Sequence, residues 1–174
     1  MLRTFIVLAP LALVALPARA QAPDDAQIAA IVVAANQVDI DAGRLASARA
    51  TNPDVKAFAE RMITDHAGVN DAAAELVARL GVTPAPNETS RSLEDGGRRN
   101  LARLKALEGR AFDDAYIAHE AAYHQQVLEA LDSTLIPSAS NGELRALLVK
   151  VRPAFVAHLE HARALQAKLG GQSR

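Results

Sequence analysis

TNPDVKAFAERMITDHAGVNDAAAELVARLG, residues 51–81, carries a start, a buried face and a stop within one stretch. Asn52 can cap a helix, Pro53 suits the first helical position, and Asp54 favours the positive end of the helix dipole. Val55, Phe58, Ala59, Met62, Val69, Ala73, Leu76 and Leu80 then recur at three- and four-residue steps. That is the period of a helix with one apolar face. Gly81 supplies the left-handed stop. The spacing predicts a helix of nearly thirty residues, roughly 40 Å long. One residue breaks the stripe at its centre, His66, with Asp65 beside it.

The same period continues on both sides. Upstream, DDAQIAAIVVAANQVDIDAGRLASARA, residues 24–50, places Ile28, Ile31, Val32, Ala35, Val38, Ala42, Leu45 and Ala46 on one side of a first long helix. Downstream, VTPAPNETS, residues 82–90, has two prolines and several side chains that bond locally to backbone, and reads as a surface loop. A shorter helix from Ser92 to Leu107 follows, weakened by Gly96-Gly97 and ended by Gly109. Residues 111–135 form a third long helix stopped by Pro137. Ser140 and Glu143 have capping-box spacing, and they open a fourth long helix that runs to Gly170-Gly171. Pro153 lies inside that helix and predicts a bend about one turn before His158. Four long amphipathic helices with one additional short helix between the second and third, and no strand pattern, predict an all-α four-helix bundle.

Composition agrees with that architecture. Of the 174 residues, 50% are hydrophobic but only 3% aromatic, and Trp and Cys are absent. The core must be built from small and aliphatic side chains, and neither disulfides nor thiol chemistry contributes. The first twenty residues, MLRTFIVLAPLALVALPARA, have a positive start at Arg3, an apolar run from Phe5 to Leu16, and Ala18-Arg19-Ala20. They read as a secretory signal peptide cleaved after Ala20. Residues 21–25 would be a short tail and residues 26–170 the bundle domain. Periplasmic or secreted location is expected after cleavage, and membrane anchoring if the segment stays. Cleavage would remove Arg3 and Arg19 and no acid, taking the formal charge from −1 to −3. Such a chain has no basic face for nucleic acid.

Several polar residues fall on positions that should face other helices. Asp39 lies on the run Val32, Ala35, Ala42, Ala46. His66 is central on the second long helix. Glu120 and His124 are one turn apart on the third, and His158 and His161 are spaced i, i+3 on the fourth, where both are expected to address one point. All five histidines, the fifth being His119, fall on helices. Asp39, His66, Glu120, His124, His158 and His161 form a candidate ligand set of oxygen and nitrogen, suited to iron, copper, manganese or zinc. Two other readings stay open. The histidines can form a hydrogen-bonded polar seam in a structural or interaction protein of the envelope, or they can sit at helix edges. A hydrolase using Glu120 with His124, or Asp65 with His66, is a weaker reading, since adjacent helical residues point about 100° apart. A nucleophile elbow, a phosphate-binding glycine loop and a nucleotide fingerprint are all missing from the sequence.

NQVDIDAGRLA, NPDVKAFAERMITDHAGVN, GRAFDDAYIAHEAAYHQQVLEAL and LRALLVKVRPAFVAHLEHARAL together resemble the exported bacterial family called domain of unknown function 4142. The resemblance covers nearly all of the chain after residue 20. It implies a ferritin-like four-helix bundle, association with the envelope or outer membrane, and no established reaction. Positions that look characteristic of the family correspond to Asp65-His66, Phe112-Asp113, Tyr116, His124 and His158. The di-iron ferritin-like pattern needs Glu-x-x-His on two helices, and this chain has none. A mononuclear site, or a site that has lost its metal, fits its residues better. The sequence leaves the oligomeric state open.

Overall fold

The computed structural model describes residues 22–171. The segment read as a signal peptide and the first residue of the tail lie outside the described residues. The chain forms α1 (Asp25–Arg49), α2 (Pro53–Leu80), α3 (Glu88–Lys105), α4 (Gly109–Ala130) and α5 (Gly142–Gly171). A π-helical turn, Leu131–Leu135, and a short turn, Ile136–Ser138, extend α4. Among the described residues there is no strand, and no helix is long and apolar enough to cross a membrane.

Around the bundle, α1 neighbours α2, α2 neighbours α5, α5 neighbours α4, and α4 closes the ring against α1. This is the expected four-helix bundle, and α3 is the additional helix, packed on the outside of α1. The core is aliphatic with a few large rings, including Ile28, Phe58, Met62, Phe112 and Tyr116, all fully buried. Gly97 permits the close approach of α3, because a Cβ there would meet Val38 Cγ2 at 2.8 Å. The glycine that weakens the helix intrinsically is thus the one that lets it dock.

The connection from α1 to α2 works largely as its residues dictate. The Asn52 side chain accepts from the backbone N–H of Asp54 and Val55, and Gly81 closes α2 at φ +65°. A long-range partner completes the corner. Asp113 of α4, 1% exposed, accepts from Thr51 N, Thr51 Oγ1 (2.6 Å) and Asn52 N (2.9 Å). Asp113→Ala would leave these donors facing a buried methyl. Hydrogen bonds to a charged group contribute about 1.5–3 kcal/mol each, so we expect a loss on the order of 3 kcal/mol, read as a lower thermal midpoint. A change below about 0.5 kcal/mol would mean that water replaces the carboxylate at this corner.

Several boundaries differ from those the sequence predicts. α3 begins at Glu88, not Ser92, because Asn87 and Ser90 form a reciprocal cap. Gly109 opens α4 at φ +54° and does not end α3, which stops at Lys105. Pro137 does not stop the helix at residue 135. The chain widens to π geometry over Leu131–Leu135 and stays helical to Ser138, which accommodates a ring that would otherwise crowd the carbonyl one turn earlier. The cap of α5 is Asn141, whose side chain accepts from Glu143 N and Leu144 N. Ser140 N donates to Asp25 of α1 instead. α5 is continuous through Pro153.

Candidate metal centre

The ring of four helices brings one polar residue from α1, one from α2, two from α4 and one from α5 to a single depth. Asp39, His66, Glu120, His124 and His158 are each no more than 2% exposed. Their donor atoms form two overlapping groups, His66–His124–His158 and Asp39–Glu120–His124, with every atom in a group within 4.8 Å of the others. His124 belongs to both. Phe155 covers the cluster, stacked on His66 with ring centroids 5.1 Å apart.

Outer hydrogen bonds fix the imidazole tautomers. Asn36 donates from Nδ2 to Asn70 Oδ1 (2.9 Å), so its own Oδ1 is free to accept from His66 Nδ1–H at 2.8 Å. His124 Nδ1–H donates to the backbone carbonyl of Glu120 at 3.0 Å. With the Asn36 amide in this orientation both Nε2 atoms carry lone pairs, and they face each other at 3.3 Å. Asp39 Oδ2 lies 3.5 Å from His66 Nε2. His158 Nε2–H donates to Asp65 at 2.8 Å, leaving its buried Nδ1 without a partner. Asp39 Oδ1 and both Glu120 carboxylate oxygens also lack partners.

Electrostatics sharpens the picture. Burial, followed by the neighbouring rings of His124 and His158, pushes His66 down to about 2. Burial and then His158 push His124 down to about 4. Burial also lowers His158, with the Asp65 hydrogen bond opposing it. All three imidazoles are neutral donors at physiological pH. Burial pushes Asp39 up to about 8, and burial together with the Asp39 charge raises Glu120 well above the usual carboxylate range. Two buried carboxyls set against each other cost several kcal/mol to ionise together unless a cation sits between them.

Metal-free protein should accordingly show an unusual stability profile. Asp39 and Glu120 keep protons in the folded state that the unfolded chain releases, so their contribution to stability falls as pH rises from about 4, where the unfolded carboxyls ionise, to about 8. His66, His119, His124 and His158 stay neutral when folded but protonate below about 6.5 when unfolded, and these four outweigh the two carboxyls, so net stability also falls on the acid side. Each group contributes up to about 1.4 kcal/mol per pH unit. Thermal melts of chelator-treated protein should peak near pH 6.5. A midpoint still rising at pH 8 would show the carboxylates ionised without a cation.

Five of the six ligand candidates read from the sequence thus converge, in order along the chain Asp39, His66, Glu120, His124 and His158. The sixth, His161, stands apart from them. Its ring packs edge-on against Phe58 with centroids 5.2 Å apart, and it borders a surface groove with Asp54 and Lys168. Three residues along a helix advance about 300°, which turns His161 off the line on which His158 points inward. Asp65 plays a part that its sequence position obscured. It cannot orient its neighbour His66, but it orients His158 across the α2–α5 contact. Its partial burial is outweighed by hydrogen bonds from His158 and Arg61, which hold it below the usual carboxylate range. Asn36 and Asn70 also escaped the sequence reading, although Asn36 stands one turn after Val32 on the buried face.

Asp65→Asn removes the charge that holds His158 in the tautomer with Nδ1 free. Loss of such an outer partner typically weakens metal binding 10–100-fold. We expect that drop in competitive titrations with a chromophoric chelator. Unaltered affinity would mean that His158 does not contribute through Nδ1.

A family model described as domain of unknown function (DUF4142) matches residues 12–165. No curated protein and no solved structure matches the chain.

Proposed function

We propose that this chain, which belongs to the DUF4142 family, binds one transition-metal ion between α1, α2, α4 and α5. The carrying observation is the pair of lone-pair-bearing Nε2 atoms of His66 and His124, 3.3 Å apart. Two such atoms repel unless a cation lies between them. Ligands about 2.0–2.1 Å from one tetrahedral ion are separated by about 3.3–3.4 Å, so the spacing suits a shared ion. Asp39 Oδ2, 3.5 Å from His66 Nε2, is at a similar separation.

Three imidazoles and two carboxylates suit iron, manganese, zinc or copper, and without thiolate they do not select a soft ion. A single ion would sit in one of the two overlapping groups, His66–His124–His158 or Asp39–Glu120–His124, with the remaining donors close by. His124 cannot bridge two ions, because its Nδ1 is committed to the Glu120 carbonyl. The carboxylates would balance the charge of a divalent ion, and Asp65 would strengthen His158 as a donor. With an apolar leader at the N-terminus, we place this activity in the envelope or outside the cell, in metal handling or stress protection.

The test is a titration of untagged protein, residues 21–174, with Fe(II), Mn(II), Zn(II) and Cu(II) after exhaustive chelation. One tightly bound equivalent of at least one ion supports the proposal. Absence of binding by all four would leave a polar seam in an envelope interaction protein as the better account.

A further inference from the structure

A groove of about 350 Å³ opens on the surface between α1, α3 and the end of α4. No charged residue lines it. Ile31, Ala35, Val127 and Leu135 form part of its wall, and the same four residues also line a smaller, partly open cavity of about 30 Å³. That cavity is bordered further in by Val32, Asn36 and Phe155, and again by no charge. Asn36 hydrogen-bonds His66 and Phe155 stacks on it. A chain of uncharged walls therefore leads from the surface to the α2 side of the donor cluster. The other surface grooves differ: one carries Asp54 and Lys168, another Glu75, Arg79 and Lys150.

The inner cavity is poorly suited to water. It exceeds the roughly 10–15 Å³ that one water needs, but a buried water also needs two to four polar partners. Asn36 is the polar residue on its lining, and both ends of that side chain are already engaged, Oδ1 by His66 and Nδ2 by Asn70. In the groove, the Tyr123 hydroxyl is likewise engaged, donating to Ala35 O at 3.2 Å.

Resting on the metal reading above, we propose that groove and cavity are the entry route for a small uncharged diatomic ligand, of the class of dioxygen or nitric oxide, to the bound ion. The inner space admits a diatomic molecule and excludes larger organic substrates, and its uncharged lining disfavours ions. Ala35 stands at the neck, where both spaces share it, so Ala35→Leu should narrow the passage without touching a donor residue.

Two readouts test this. Crystals of the protein under xenon pressure should show xenon between Val32, Asn36 and Phe155. In stopped-flow mixing of Fe(II)-loaded protein with nitric oxide, Ala35→Leu should slow binding at least tenfold while Fe(II) stoichiometry stays unchanged. Xenon absent from the cavity, or an equal nitric oxide rate in the variant, overturns the route while leaving the metal site standing. Protein that admits xenon but binds no ion overturns the metal reading and gas delivery with it.

Discussion

His124→Ala should lower metal affinity about 1,000-fold or more, beyond the 10–100-fold expected of an outer partner. His124 is the donor common to the two groups of candidate ligands. Removing its ring takes away the nitrogen 3.3 Å from His66 Nε2 and leaves an apolar hole beside two carboxyls. A thousandfold loss corresponds to about 4 kcal/mol. The metal-free variant should still fold, because deleting the ring also removes the repulsion between facing lone pairs. Titration against a competing chelator gives the affinity, and melting of the metal-free forms checks the fold. His161→Ala is the contrast, and its affinity should stay within twofold of the parent. If both variants lost the ion equally, the geometry described for the centre would be wrong.

The second large effect is on stability. An ion that binds the folded chain alone stabilises it by about 4 kcal/mol when its free concentration is 1,000 times Kd. For a domain of about 150 residues each kcal/mol moves the midpoint by roughly 2–4 °C. Saturating the protein should therefore raise the midpoint by roughly 8–16 °C over the chelated form. The gain should be greater at pH 8 than at pH 6.5, because at the lower pH the ion must displace protons from Asp39 and Glu120. A hydrogen-bonded seam with no ion predicts equal midpoints with and without chelator. Scanning calorimetry at both pH values distinguishes the two.

Much of the architecture was legible because the local rules acted without competition. α2 begins at its Asn52 cap and ends at Gly81 as those residues require, and its apolar stripe faces the core. The boundaries that shifted depend on partners distant in sequence. Ser140 and Glu143 have the spacing of a capping box, yet Ser140 N is drawn to Asp25, and Asn141 caps α5. Pro137 was accommodated by a π turn that no single residue announces. Helical period put Asp39, His66, Glu120 and His158 on apolar stripes with His124 adjoining, but left helix-edge placement open; the bundle buries all five. What periodicity could not supply was azimuth across helices. It did not separate His158 from His161, nor pair Asp65 with a histidine from another helix, nor reveal that Asn36 sets the tautomer of His66.

Anomalous diffraction at the absorption edge of the bound ion, from crystals of the loaded, untagged protein, would locate that ion. One strong peak per chain is expected, within about 2.0–2.2 Å of His66 Nε2 and His124 Nε2 and reached by Asp39, Glu120 or His158. A peak confined to surface sites such as the His161 groove, or no peak in protein that melts identically with chelator, would contradict that placement.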